Sequence, residues 1–268
     1  MSAVATSSTL RRDLGLVAWQ VRYEQRAYWR NRIRAVFTFV FPLMFLVIFA
    51  SINHSTRLSS LGGIPYDDFF VPGILAYGLI ATTYVNMAIS TSLLRDMGVL
   101  KRMQGTPLPR WAYIAARIAS TVVIVLAMTV ITLGLGVVAY GVHIRASTLP
   151  ALIATLIVGT AAFTTLGIGI TRFIPNSDAA PVVVNLTVLP LTFISSIWFP
   201  AAGMPKLLRD VANVFPIRPL ADGLERAFNP YTHGAGFSGS DLRTLAIWAA
   251  VGIFLMLRFL RQPQGETG

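Results

Sequence analysis

Long apolar runs, uncharged except for Arg117 near the start of the third, alternate with short charged segments along this chain, and the runs have the length of a bilayer crossing. Stretches at 35–53, 69–94, 111–142, 151–171 and 179–199 each supply about the 20 residues a helix needs to cross hydrocarbon. A sixth, 244–257, is short by itself, but Arg243 and Arg258 can snorkel and extend it to 242–260. Before the first run the pattern changes. Leu10, Leu14, Val17 and Val21 recur at helical spacing among Arg11, Arg12, Arg22, Arg26, Arg30, Arg32 and Arg34. With Trp19, Tyr23, Tyr28 and Trp29, this predicts an amphipathic helix over 10–34 lying in the membrane interface. Residues 1–9, small and polar, are expected to be disordered. Between the last two runs, Leu207, Leu208, Val211 and Val214 share one helical face. A second amphipathic piece follows at 217–228, and neither is long enough to cross. The predicted fold is therefore an all-α polytopic membrane protein of six transmembrane helices. One domain, 35–268, follows a tail and interfacial helix at 1–34.

A charged island, RDMGVLKRMQGTPLPR at 95–110, interrupts the apolar pattern between spans two and three. Leu93, Met97 and Leu100 fall at i, i+4 and i+7, one stripe of a helix, with Arg95, Asp96, Lys101 and Arg102 off that stripe. Gly105 supplies a helix stop, and Pro107 and Pro109 prevent continuation. The island reads as a short amphipathic helix closed by a hard turn. In span four, Gly159, Ala162 and Gly169 form a small-residue face suited to close helix packing.

Composition narrows the class. The 268 residues are 54% hydrophobic and only 12% charged, where a soluble domain carries about 25% charged residues. The net charge of +11 clusters beside apolar runs, which marks topology and not nucleic-acid binding. It predicts that both termini and the island face the cytoplasm of a plasma (inner) membrane, since the first two outer loops carry only Arg57 and Arg145. The long loop at 200–241 departs from that rule with Lys206, Arg209, Arg218 and Arg226. The absence of Cys rules out disulfides, thiolate metal sites and a cysteine nucleophile. The first apolar run lies behind a long basic segment, so no signal peptide is expected.

Several chemistries lack their residues. No G-x-x-x-x-G-K-[ST] occurs, so this chain cannot cradle ATP through a phosphate-binding loop. His54, His143 and His233 have no metal-ligand spacing and read as chance. No Asp, Glu, Lys or Arg is predicted at mid-membrane depth, with Arg117 read as snorkelling from the start of span three. That argues against a proton-driven carrier and an intramembrane protease. Asn86, Asn185 and Thr192 are candidate cargo-path residues. For any single one of them, an interhelical hydrogen bond, worth about 0.6 kcal/mol on average, is the favoured role. A membrane-embedded lipid-modifying enzyme would need a His, Asp or Glu cluster at one interface, and the pattern contains none.

The island also resembles a known signature. Arg95, Asp96, Gly98, Leu100, Arg102, Thr106, Pro107 and Leu108 match the loop R-D/E-x-G-x-L-x-R-x-x-x-T-P-L of ABC-2 type permeases, the membrane subunits of drug, lipid, polysaccharide and nodulation-factor exporters. A second match is Phe199-Pro200, Met204-Pro205 and Val214-Phe215-Pro216, similar to the family's segment after its fifth span. The resemblance implies that Arg95, Asp96, Met97, Gly98, Leu100, Lys101, Arg102, Thr106 and Pro107 form a coupling loop docking on a separate ABC ATPase. That partner would bind ATP and Mg, leaving this chain without a cofactor or enzymatic activity of its own. It further implies two ATPase copies, a second permease chain, a connecting helix before span one and two short helices re-entering the outer leaflet between spans five and six. The implied cargo is hydrophobic or amphiphilic, with polysaccharide export the alternative within the family.

Overall fold

A computed structural model describes residues 2–105, 110–232 and 234–261. Helix α1 spans Ser2–Arg30. Residues 2–9 thus continue the helix where disorder is expected; they hold Ala3 and Ala5, and no glycine or proline precedes Gly15. Past Asn31 the chain enters α2, Arg32–Asn53. A hairpin of β1 (Arg57–Leu58) antiparallel to β2 (Ile64–Pro65) is the only sheet among the described residues. Next, α3 (Tyr66–Ile80), a π-helical turn at Ala81–Val85 and α4 (Asn86–Asp96) make one continuous crossing. The island supplies α5, Val99–Gln104. There follow α6 (Arg110–Tyr140), α7 (Leu149–Ile170), α8 (Ala180–Ile194), α9 (Lys206–Val214), α10 (Ile217–Glu225) and α11 (Gly239–Arg261).

Among the described residues five stretches are long and apolar enough to cross a membrane: Ala35–Asn53, Tyr66–Asp96, Trp111–Tyr140, Ala146–Phe173 and Gly239–Phe259. The shortest expected run, the last, is a full crossing because its helix begins at Gly239. Helix α8 is the short one, with 15 residues. At 1.5 Å per residue it reaches ~22 Å, less than the roughly 30 Å of hydrocarbon. It ends at Ile194 and not at 199 because Ser196 adopts φ 58, a left-handed conformation that a helix cannot continue through. The chain then turns back onto α3, where a Cβ on Gly73 would lie 2.4 Å from the Ile197 carbonyl oxygen. Only a glycine admits that approach.

The central members are α3–α4 and α7, whose apolar stretches are each 72% buried, against 28%, 33% and 22% for α2, α6 and α11. Phe69, Phe70, Ile74, Leu75, Leu79 and Ile80 fill the middle. The small residues of α7 serve several neighbours, not one. Added Cβ atoms on Gly159, Gly167 and Gly169 would meet Leu220 of α10, the Tyr84 carbonyl and Leu255 of α11 at 2.7, 2.6 and 2.7 Å.

The two short helices after α8 form as expected but play different parts. Helix α10 buries Ile217, Leu220 and Leu224 in the main core, while α9 leaves Leu207 and Val214 exposed. Their joint at Phe215-Pro216 is held by α11: the Trp248 indole N–H donates to the Val214 carbonyl at 2.7 Å, and its ring stacks on Phe215.

Candidate functional site

The island is locked to the connection between α7 and α8. The last carbonyls of a helix have no partner inside it and carry the negative end of its dipole, so they attract a cation. Arg95, at the end of α4, reaches the C-cap of α7 at Thr171 and the turn beyond it. Its guanidinium donates to the carbonyls of Thr171 and Ile174 at 2.9 and 2.8 Å and to that of Pro175 at 3.1 Å. Asp96 accepts from the Ser177 backbone N–H and pairs with Arg95 Nε at 3.1 Å. Arg95 and Asp96 thus bind this chain's own backbone, a role the spacing did not suggest.

The apolar stripe is broken. Gly98 takes φ 67, which separates α4 from α5, so Leu93, Met97 and Leu100 no longer share a face. Leu93 and Met97 are exposed, at 42% and 59%. Leu100 is only 3% exposed and packs with Met87, Tyr113, Ile168, Met256 and Phe259. The expectation that Leu100 offers itself to a partner is therefore corrected: it seats α5 on α4, α6, α7 and α11. Lys101 and Arg102 are exposed, and Arg102 donates to the Met97 carbonyl at 3.1 Å across the Gly98 turn. Thr106 and Pro107 lie outside the described residues.

A second polar junction lies beside the island. Arg117 does not snorkel outward but turns inward from α6, 5% exposed, to pair with Glu24 of α1 at 2.7 Å. It also approaches the hydroxyls of Ser90 and Thr91 on α4 at 3.3 and 3.4 Å and lies 5.8 Å from the Tyr113 ring centre. Gln25 of α1 donates to the backbone carbonyl and hydroxyl of Ser120 at 2.7 and 3.0 Å. One buried charge therefore ties three helices together. The inward stripe of α1 is accordingly mixed, with Gln20 and Glu24 beside Val17, Val21 and Tyr28. The signal was present as a lone Glu in an Arg-rich helix and a polar stripe of Ser90, Thr91, Arg117, Ser120 and Thr121, but the pairing spans 93 residues.

The three candidate cargo-path residues do not converge. Asn86 is half-buried, Asn185 is exposed on α8, and Thr192 turns its hydroxyl to the Leu189 carbonyl of its own helix at 2.8 Å. The nearest thing to a shared path is an apolar crevice of about 230 Å³ between the π turn, α7, α8, α10 and α11. Phe163, Leu166, Val188, Leu191 and Trp248 line it, and Tyr84 reaches Thr187 across its wall at 3.1 Å. Tyr84 belongs to the π turn, an insertion that recurs at functional sites. Among the described residues no group of three or more His, Asp or Glu could hold a metal. His54 is nonetheless engaged: its Nδ1 lies 2.6 Å from the buried Asp67 carboxylate.

No curated protein matches the chain. The sequence model of one family, described as ABC-2 type transporter, matches residues 16–228. That match runs from within α1 through α10 and takes in the island, its clamp on the α7–α8 connection and the Arg117 junction. A multi-pass helical membrane protein with this match belongs to the ABC-2 type transporter family, as the permease subunit of an ABC transporter.

Proposed function

We propose that this permease is the membrane half of an exporter of hydrophobic or amphiphilic cargo, and that its island, 95–107, receives the movement of a separate ATPase. Family membership implies association with an ABC ATPase subunit. In the proposed assembly two copies of it, holding ATP and Mg, meet two permease chains, same or homologous, on the cytoplasmic side of the plasma membrane. The observation that carries this reading is the double anchorage of the island. Arg95 and Asp96 bind the α7–α8 connection, and Leu100 is sunk among residues of α4, α6, α7 and α11. A displacement there moves several helices together, because packed interiors transmit strain. Met97, Lys101 and Arg102 remain exposed beside that anchor and offer an apolar contact flanked by cations. The wall of the 230 Å³ crevice is almost wholly apolar, which suits an apolar cargo better than a polysaccharide.

The test replaces Met97 with Asp and Arg102 with Glu and measures three quantities: permease in the membrane, ABC ATPase co-purifying with it, and export. Truncating one interface anchor costs roughly 1–2 kcal/mol, and charge reversal adds repulsion. Normal membrane level with ATPase and export both lost is the expected result. Retention of ATPase and export by the double variant overturns the assignment.

A further inference from the structure

At the end of the bundle opposite the island, the segment after α8 meets α9 and α10 around a cavity of about 240 Å³. Its wall includes Phe69, Ser196, Arg209, Arg218, Asp222 and Glu225. That is less than the roughly 300–1,000 Å³ that holds a drug-sized ligand, so the space suits a head group and not a whole amphiphile.

Two features mark it as a built polar site. Ser196 is 7% exposed, and its hydroxyl has no hydrogen-bond partner. A buried hydroxyl is normally paired. Ser196 also holds φ 58, a strained conformation that non-glycine residues keep where surrounding structure imposes it, often at ligand sites. The charges are the second feature. Arg218 Nε pairs with Asp222 at 3.4 Å. Arg209 and Glu225 are in no ion pair among the described residues. The cavity therefore presents a guanidinium outside any ion pair, an unpartnered hydroxyl, and a carboxyl whose recorded side-chain partner is the neutral amide of Asn229, all against apolar backing.

We propose that this cavity binds a zwitterionic amino-phosphate head group, with the phosphate on Arg209 and the Ser196 hydroxyl and the ammonium on Glu225. Guanidinium is the preferred partner of phosphate because its planar fork matches the oxygens. A purely anionic group would sit against the Asp222 and Glu225 carboxyls, and a purely cationic one against Arg209 and Arg218; the zwitterion alone meets opposite charge at both ends. The same chemistry has two sources, free 2-aminoethyl phosphate and the head of a phosphatidylethanolamine. The inference does not depend on the direction of transport or on ATPase docking.

Calorimetric titration of the purified full chain in detergent tests it with four probes: 2-aminoethyl phosphate, glycerol phosphate, ethanolamine and dihexanoyl phosphatidylethanolamine. The zwitterion is expected to bind at least about tenfold more tightly than either half-charge probe, the worth of one charge-assisted hydrogen bond. Ser196→Gly removes the hydroxyl and suits the backbone, and Arg209→Ala changes an exposed residue, so both variants should fold. Each should weaken zwitterion binding about five- to tenfold. Glu225→Gln should shift preference toward glycerol phosphate. Tighter binding of the diacyl probe than of the free zwitterion assigns the site to lipid, and equal binding of the two assigns it to the head group itself; both support the proposal. Half-charge probes binding as well as the zwitterion, or both variants binding like the unaltered chain, overturns it.

Discussion

Neutralising Glu24 probes the junction between α1 and the crossing helices. The Glu24 and Arg117 side chains are 15% and 6% exposed and meet at 2.7 Å, where water screens them poorly. Removing one partner of a buried pair costs about 3–5 kcal/mol, because the other charge stays buried alone. Arg117→Met should fall at the lower end, about 3 kcal/mol, since the stranded carboxylate retains some access to solvent. Glu24→Gln keeps the shape and an acceptor oxygen, and Ser90 and Thr91 still face the guanidinium, so about 1.5 kcal/mol is expected. The double variant buries no unpaired charge and should cost about 2 kcal/mol, a coupling of roughly 2.5 kcal/mol. Thiol-reactive dyes have no native target in a chain without Cys, but tryptophan fluorescence serves, and Trp19 and Trp29 report on α1 itself. Melts of the full chain in detergent should shift by about 2–4 °C per kcal/mol. Single-variant losses that add within about 0.5 kcal/mol would refute the reasoning and leave α1 held by surface contact alone.

Other outcomes follow from separate features. Arg95→Lys cannot fork to the carbonyls of Thr171, Ile174 and Pro175, so a cysteine placed at Ser177 should label severalfold faster in that background; unchanged labelling would show the clamp to be dispensable. Gly73→Ala forces a Cβ to within 2.4 Å of the Ile197 carbonyl and should lower stability by roughly 1–3 kcal/mol in the same melts, whereas a wild-type melt would deny the close approach. Burial, then the Asp222 charge, pushes the Glu225 carboxyl up to about 7, with Asn229 and Arg226 opposing. Its folded-state pKa exceeds the unfolded value of 4.5, so its contribution is fully present below pH 4.5 and is lost as pH rises through 7. That loss is at most roughly 3 kcal/mol, and Glu225→Gln should flatten this slope. For the proposed orientation, a cysteine at Ser60 should react with an impermeant thiol reagent from outside the cell and one at Lys101 should not; the reverse pattern inverts the topology.

What the sequence determined by itself was the class and the membership. Apolar run length is dictated by bilayer thickness, and that constraint made the all-α polytopic fold legible; helical periodicity did the same for the N-terminal helix and the two short helices after α8. The island signature was legible for the same local reason, since its glycine, prolines and charges are neighbours in the chain. Tertiary structure decided the directions in which side chains point. The stripe of Leu93, Met97 and Leu100 assumed one unbroken helix, and the Gly98 turn sent Leu100 inward instead. Charge-rule reading placed Arg117 at the lipid interface because hydropathy sees each helix alone, while Glu24 and two hydroxyls of α4 supplied a cheaper place for the charge inside. The strain at Ser196 and its unpaired hydroxyl leave no trace in composition, because they arise where α8 stops and the chain presses Ile197 onto Gly73. Backbone periodicity and solvent partition act residue by residue and are written along the chain; pairings between distant residues depend on which helices touch, and only the packed bundle settles that.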